Sequence, residues 1–108
     1  MTVNELAEKY SLTKLAVPDG DRVIDGGYTG DLLSWVMGRA ESGNVWVTIM
    51  SNINIVAVAA LADTSCIVLA EGVTLEDSII EAAKEKNVNI LSTPMSAFEA
   101  ISAFSKDI

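Results

Sequence analysis

Two short runs of residues, Val45 to Ile49 and Cys66 to Leu69, constrain the fold of this chain more than any other feature. The first is rich in β-branched and aromatic residues and the second is apolar throughout, which is typical of strands buried on both faces of a parallel sheet. Between them, Ile53 to Ala62 is apolar nearly all round, so we expect a deeply covered helix there. Strand, helix and strand in this order predict a crossover unit of an α/β protein.

The rest of the chain continues this alternation. Thr2 with Glu5, and Ser96 with Glu99, have the spacing of a capping box, so each pair predicts the start of a helix. The other expected elements are strands over 22–25 and 88–91 and helices over 31–42 and 75–86. We therefore expect one domain over residues 1–108, with an N-terminal helix in 1–15 and an α/β core over 16–108. The predicted architecture is a three-layer α/β/α sandwich with a mainly parallel sheet of about five short strands.

Charge and composition argue against several functions. Seven Lys and Arg against fifteen Asp and Glu give a net charge of -8, which repels nucleic acid and anionic membranes. The chain has no histidine, so it lacks the commonest general base and every imidazole metal ligand. The single Cys66 cannot form an internal disulfide, which favours the cytoplasm. We expect no enzyme activity, catalytic residue, metal or cofactor, and no nucleic-acid or membrane partner.

Ligands of open α/β sheets bind beyond the carboxyl ends of the strands, here expected near residues 26–31, 50–54, 70–74 and 92–96. Backbone amides at a glycine-rich helix start can receive a phosphate, while threonine and asparagine side chains can bond a base or a ribose. The candidate ligand-binding residues are Gly26, Gly27, Thr29 and Gly30 of residues 26–31, called here the glycine segment, together with Thr48, Asn52 and Asn54. The alternatives are a turn and helix cap in the glycine segment, and helix capping by Asn52.

Other reactive side chains have plainer interpretations. Asp25 and Asp31 flank the glycine segment, but an acid/base pair would need a partner that the sequence does not offer, so solvated surface is favoured. Cys66 lies in a predicted buried strand, where a thiol behaves as a small apolar group. The large aromatic residues near these elements are expected in the core, and an exposed one would mark a partner surface: Tyr28, Trp35 and Trp46.

Several blocks of the chain resemble the DRTGG domain family. The string from Asp21 to Tyr28, followed by Gly30 to Ser34, is similar to the family signature, and Asp25 stands where the motif usually has threonine. Further blocks agree in order over residues 20–104: Val45 to Thr48, Asn54 to Ala59, Cys66 to Leu69, Leu91 to Pro94 and Ser96 to Phe98. The resemblance assigns the family-motif positions to Asp21, Arg22, Gly26 and Gly27.

The resemblance implies a domain like the N-terminal domain of HPr kinase/phosphorylase and the DRTGG insert of CBS-domain pyrophosphatases, in which the chemistry belongs to another domain. Our first hypothesis is a non-catalytic regulatory or interaction module. It would form a homodimer through the glycine segment or an exposed sheet edge, with Arg22 of one subunit near the loops of the other, and could act on a partner enzyme. The alternative is a sensor that binds an adenine nucleotide or small metabolite at the carboxyl ends of the strands.

Overall fold

The computed structural model describes residues 1–108 and shows one five-stranded sheet with five helices. The strands are β1 (Thr13–Ala16), β2 (Gly27–Thr29), β3 (Val45–Thr48), β4 (Cys66–Leu69) and β5 (Ile90–Ser92). The helices are α1 (Val3–Lys9), α2 (Leu33–Arg39), α3 (Asn54–Ala62), α4 (Asp77–Glu85) and α5 (Ala97–Phe104). The predicted α/β class with a mainly parallel sheet is confirmed. None of the helices is long and apolar enough to cross a membrane.

The sheet has the order β1-β5-β4-β3-β2, so its parallel strands β2 to β5 follow one another across the sheet as they do along the chain. Because crossovers between parallel strands are right-handed, this order places α2, α3 and α4 on one face. Buried side chains of these three helices pack there against Trp46 and Ile67. On the other face, Leu6 of α1 and Phe104 of α5 belong to a second core with Val47 and Val68.

Both predicted capping boxes are confirmed, but the first helix is shorter than expected. Thr2 and Glu5 cap α1 reciprocally, as Ser96 and Glu99 cap α5. Helix α1 nevertheless ends at Lys9, and β1 occupies part of the 1–15 segment expected to be helical. Ser11 adopts a left-handed φ of 53°, which ends the helical path, and β1 then pairs antiparallel with β5. Residues 13–15 therefore form a strand, although local spacing predicted a helix, because their backbone pairs with the distant strand β5.

The prediction of a strand over residues 22–25 is wrong. Only an isolated bridge joins Val23 to Thr2, and the edge strand is β2, inside the glycine segment. Gly26 has a φ of 74°, which turns the chain, and Gly27 then begins parallel pairing with Val45. Glycine carries no local strand preference, so the pairing with β3 creates this strand.

The expectation that α3 is deeply covered is also wrong for one side of the helix. Ile55, Val56, Val58 and Ala59 are buried against the sheet, but Leu61 is 72% exposed. Helix α3 lies in a single outer layer with α2 and α4, so nothing within the chain covers its outward side. The predicted helix over 75–86 is present as α4, and the last strand is β5, slightly later than the expected 88–91.

Candidate functional site

The position of β2 separates the predicted ligand-binding residues into two groups. Gly26 and Gly27 lie at its amino end, whereas Gly30 follows its carboxyl end. A strand of three residues spans about 10 Å, so the glycine segment is not one loop beyond the strand ends. Asp25 and Asp31 are separated in the same way and do not form an acid/base pair. The sequence analysis placed the whole glycine segment beyond the carboxyl ends of the strands. The structure corrects this for Gly26 and Gly27, which lie at the amino end of β2.

At the amino end, Gly26 has a structural role. The buried Asn44 side chain donates from Nδ2 to the Asp25 carbonyl at 2.9 Å and accepts the Glu41 N–H at 2.9 Å. A Cβ on Gly26 would lie 3.0 Å from that Nδ2. The glycine therefore permits both the positive φ and the approach of Asn44.

The family-motif residue Arg22 also lies at the amino end of the sheet. Its guanidinium contacts an Asp63 carboxylate oxygen at 2.9 Å and donates to the Asp63 carbonyl at 2.6 Å. The Arg22 hydrogen bond, followed by one from Ser42, holds the pKa of Asp63 below its usual value. Asp21 accepts a long hydrogen bond of 3.5 Å from Asn4. Arg22 is thus occupied within its own chain, away from the carboxyl ends of the strands.

At the carboxyl ends of β2 and β3, the polar groups bond to one another. Asp31 Oδ1 accepts from the Thr48 hydroxyl at 2.8 Å and from the Ile49 N–H at 3.0 Å. The buried Trp46 donates from Nε1 to the Gly30 carbonyl at 2.9 Å, and the Thr29 hydroxyl donates to the Val47 carbonyl. These contacts fix the turn after β2 to the next strand, so a ligand there would have to replace bonds already made.

Asn52 does not occupy the N-cap position predicted for it. Its Oδ1 accepts the N–H of Asn54, the first residue of α3, at 2.9 Å, although Ile53 is the N-cap by backbone position. Both asparagines are exposed and follow β3 at the same end of the sheet as Thr48. The Asn52 side chain thus bonds the first residue of α3 from one position before the N-cap, and ligand contact by these residues stays a prediction.

A crevice that the sequence-based choice of residues missed lies at the carboxyl ends of β4 and β5. The chain leaves β4 towards α4 on one face and leaves β5 towards α5 on the other, and such divergence opens a crevice between adjacent strands. A hollow of about 330 Å³ lies there. This strand-end crevice is lined by Leu15, Gly72, Val73, Thr74, Leu75, Ser92, Thr93 and Pro94.

The strand-end crevice offers neutral polar groups. The hydroxyls of Thr74 and Ser92 make no hydrogen bond within the chain, and no lining residue is charged. Two backbone bonds join the loops beside it, from Glu71 N–H to the Met95 carbonyl and from Gly72 N–H to the Thr93 carbonyl. The sequence analysis predicts both loops, but none of their residues is among the chosen ligand-binding residues. The divergence of successive helices depends on strand order and leaves no local pattern in the sequence.

A second hollow, the β2 groove, lies on the α5 side of the sheet beside β2. It measures about 270 Å³ and is mainly apolar. Three of the residues around it, Gly26, Gly27 and Thr29, are predicted ligand contacts. The groove is lined by Gly26, Gly27, Tyr28, Thr29, Val45, Val47, Ile101, Phe104, Ser105 and Ile108. Its floor is β2 and β3, its wall is α5, and no helix covers β2 on this side.

The reactive side chains singled out in the sequence are buried or lie far apart. Burial raises the pKa of the Cys66 thiol to about 12, so the thiolate is scarcely populated near neutral pH. No group of three or more acidic or thiol side chains is placed to hold a metal ion. The predicted buried position of Cys66 is confirmed. Three aromatic residues were expected in the core. Trp46 is buried as expected, Tyr28 is half-buried, and Trp35 is 51% exposed.

Comparison with known proteins gives a family and a fold. The family model described as the DRTGG domain matches residues 32–106, a range that begins after most of the signature-like string. The crystal structure of the CBS and DRTGG domains of the regulatory region of Clostridium perfringens pyrophosphatase, complexed with the activator diadenosine tetraphosphate, superposes with a TM-score of 0.77. Sequence identity is 18%, over 94% of this chain and 44% of that one, so this chain spans less than half of its length. No curated protein matches.

Proposed function

This chain belongs to the DRTGG domain family, and from that premise we propose that it is a non-catalytic regulatory module that acts as a homodimer. The similar pyrophosphatase fragment is a regulatory region, which supports a regulatory role. Cys66 is buried as a thiol, and Asp25 and Asp31 lie at opposite ends of a strand, so the side chains favour binding over catalysis.

The observation that carries the proposal is the outer side of α3. After Asn54 this helix contains no polar residue, and Ala57, Ala60 and Leu61 face solvent. We call this surface, with the neighbouring Ile53 at 50% exposure, the α3 face. Exposed apolar area costs roughly 25 cal/mol per Å² relative to burial, and continuous patches of it mark interaction surfaces.

Helix α2, which packs beside α3, adds further apolar surface. Leu32 is 57% exposed and Trp35 is 51% exposed. The Arg39 guanidinium lies 3.6 Å from the centroid of the Trp35 ring and covers one side of it, which leaves the rest of the ring for a partner. An exposed tryptophan beside an apolar helix is a common anchor of an interface.

A second copy of the chain is the partner that this surface fits. Two copies that each carry a charge of -8 repel one another, so a self-association surface should be free of carboxylates, as the α3 face is. The open edge of β2 is a poorer choice. Antiparallel pairing of two β2 strands about Tyr28 would place Asp25 opposite the partner subunit's Asp31, and like charges directly opposite are unfavourable.

Analytical ultracentrifugation tests the homodimer. We expect a dimer at micromolar concentration, and a monomer for Leu61→Lys, because two ammonium groups would be brought into an apolar contact. The matched control is Phe98→Lys, which adds the same charge at an 82% exposed position on the opposite face and should leave the dimer intact. A monomeric wild type at high micromolar concentration would contradict the proposal.

The second candidate function is an adenine-nucleotide sensor, favoured by the strand-end crevice. Its volume of about 330 Å³ is in the range of small-molecule pockets, and Thr74 and Ser92 offer hydroxyls without partners. The pyrophosphatase fragment binds a dinucleotide of adenosine as its activator. Because no lining residue is basic, we expect the base and ribose to enter the crevice while the phosphates remain towards solvent.

A titration followed by ¹⁵N NMR distinguishes the two groups of candidate residues. With AMP, ATP and diadenosine tetraphosphate in turn, binding in the crevice should shift the signals of Thr74 and Ser92, whereas the sequence-based prediction expects shifts at Gly30, Thr48 and Asn52. Ser92→Ala should weaken binding in the first case, and Asn54→Ala serves as its control. No shift at millimolar nucleotide would reject nucleotide binding at both places.

A further inference from the structure

Strand β2 is the last strand of the sheet, and its outer edge has no partner within the chain. In its ladder with β3, the Val45 N–H donates to the Gly26 carbonyl and the Gly30 N–H donates to the Val47 carbonyl. Because the bonding direction alternates along a strand, the N–H and C=O groups of Gly27 and Thr29 point outward. These four groups are pairing positions for an added strand.

The β2 groove lies along the same edge, on the α5 side. Gly27 has no side chain to fill the space above it, and the wall is formed by Ile101 and Phe104. In a strand added beside β2, the residue opposite Gly27 would direct its side chain over this glycine towards that wall. The groove of about 270 Å³ has room for a large apolar side chain at this point.

Charge indicates what kind of segment would bind. Asp25 precedes β2 and Asp31 follows it, and both are exposed, while no residue lining the β2 groove is basic. The strand itself has none of the lysines, prolines or bulges that usually block an edge. The two carboxylates disfavour a second copy of this chain and favour a segment with basic residues on both sides of its apolar residue.

We propose that the β2 edge and the β2 groove bind an extended segment of another protein by β-strand addition. A large apolar residue of the segment occupies the groove opposite Gly27, and flanking lysine or arginine residues lie near Asp25 and Asp31. This surface is separate from the α3 face and from the strand-end crevice, so it goes beyond the proposed function.

The probe is an acetylated and amidated peptide, Lys-Thr-Val-Thr-Phe-Val-Lys, together with versions that carry leucine or tryptophan in place of phenylalanine. In an antiparallel added strand with phenylalanine opposite Gly27, the two lysines stand opposite Asp31 and Asp25. Hydrogen exchange measured by ¹⁵N NMR should slow by about tenfold or more at the Gly27 and Thr29 amides, which become hydrogen-bonded in the complex. Shifts should appear at Ile101 and Phe104. Unchanged exchange at both amides with all three peptides at millimolar concentration would overturn the proposal.

Modified peptides test each part of the recognition. Replacing both lysines with glutamate should weaken binding by about tenfold at low salt, and N-methylation of the residues that pair with Gly27 and Thr29 should abolish it. Equal binding of the N-methylated peptide would show that no strand is added, and equal binding of the glutamate peptide would refute the charge argument.

Protein variants separate the groove from the edge and from the dimer. Gly27→Val fills the floor of the groove with a residue suited to a strand and should weaken binding by about tenfold. Its Cβ would lie 3.3 Å from Cγ1 of Val45, so the Val45 side chain must shift slightly. Should that variant misfold, Asp31→Asn combined with Asp25→Asn removes both charges, while the amide oxygen of the new side chain at position 31 remains an acceptor for Thr48. This double variant should abolish the preference for lysine over glutamate peptides. Leu61→Lys, the dimer variant, should bind the peptide normally.

Discussion

Replacing Gly26 with alanine is expected to destabilise the domain through two separate effects. The first is conformational, because Gly26 has a φ of 74°, a left-handed conformation that costs an L-residue about 1–2 kcal/mol. The second is a contact, because the new Cβ would lie 3.0 Å from Nδ2 of the buried Asn44. Asn44 would have to move and weaken its bond to the Asp25 carbonyl, at a cost of about 1–2 kcal/mol for a buried donor.

Two other glycines provide matched controls that isolate these effects. Gly72 has a φ of 68°, and a Cβ added there would meet nothing within 4 Å, so Gly72→Ala should show the conformational cost alone, about 1–2 kcal/mol. Gly38 lies in α2 with ordinary helical geometry and open space around it, so Gly38→Ala should stabilise by about 0.5–1 kcal/mol. Gly26→Ala should cost about 2–4 kcal/mol, the largest of the three.

Urea denaturation followed by circular dichroism gives the free energy of unfolding of each variant. The order of stability should be Gly38→Ala, wild type, Gly72→Ala and Gly26→Ala, with unchanged m-values. Equal losses for Gly26→Ala and Gly72→Ala would show that Asn44 accommodates the methyl group without cost, which would refute a fixed contact. The double variant Gly26→Ala/Asn44→Ala gives a further test. If the two side chains contact each other, the free energies of unfolding lost in the single variants should not add in the double variant. Additive losses would contradict the contact.

Two further predictions concern a buried hydroxyl and acid stability. Thr64 Oγ1 is buried without a hydrogen-bond partner, so Thr64→Val should stabilise the fold by about 1 kcal/mol in urea titrations, and destabilisation would show that the hydroxyl has a partner. Hydrogen bonds from Arg22 and then Ser42 lower the pKa of Asp63 in the folded state. The stability contributed by its carboxylate is therefore present above the unfolded pKa of about 3.9 and is lost as pH falls through the lower folded pKa. Asp63→Asn should flatten that decline in the urea midpoint, and an unchanged pH profile would refute the assignment.

The elements predicted correctly have their causes within a few residues of sequence. The capping boxes at Thr2 and Ser96 are reciprocal bonds between residues three positions apart, so spacing alone reveals them. Strands β3 and β4 are apolar because both of their faces are covered, and composition records that burial directly. Local chemistry was sufficient wherever the stabilising contact was local or the burial complete.

The missed strands are both at the edges of the sheet. Strands β1 and β2 are the two outer strands, with backbone pairing on one side only, and their sequences carry no continuous apolar run. Misplacing β2 by a few residues moved Gly26 and Gly27 from one end of the sheet to the other in the sequence-based interpretation. The candidate site changed accordingly, because a ligand site depends on which end of a strand a residue occupies.

The position of the β2 groove follows from topology more than from its side chains. Strands β2 to β5 lie in the sheet in the same order as in the sequence, so the three helices that connect them pack on one face. Only α1 and α5 remain to cover the other face. Helix α5 packs over β3, so the α5 side of β2 stays uncovered whatever residues stand there. Substitutions of the wall residues Ile101 and Phe104 should therefore change the affinity for a partner while the edge of β2 stays open. A site that depends on strand order in this way can accept different segments without any change in the fold.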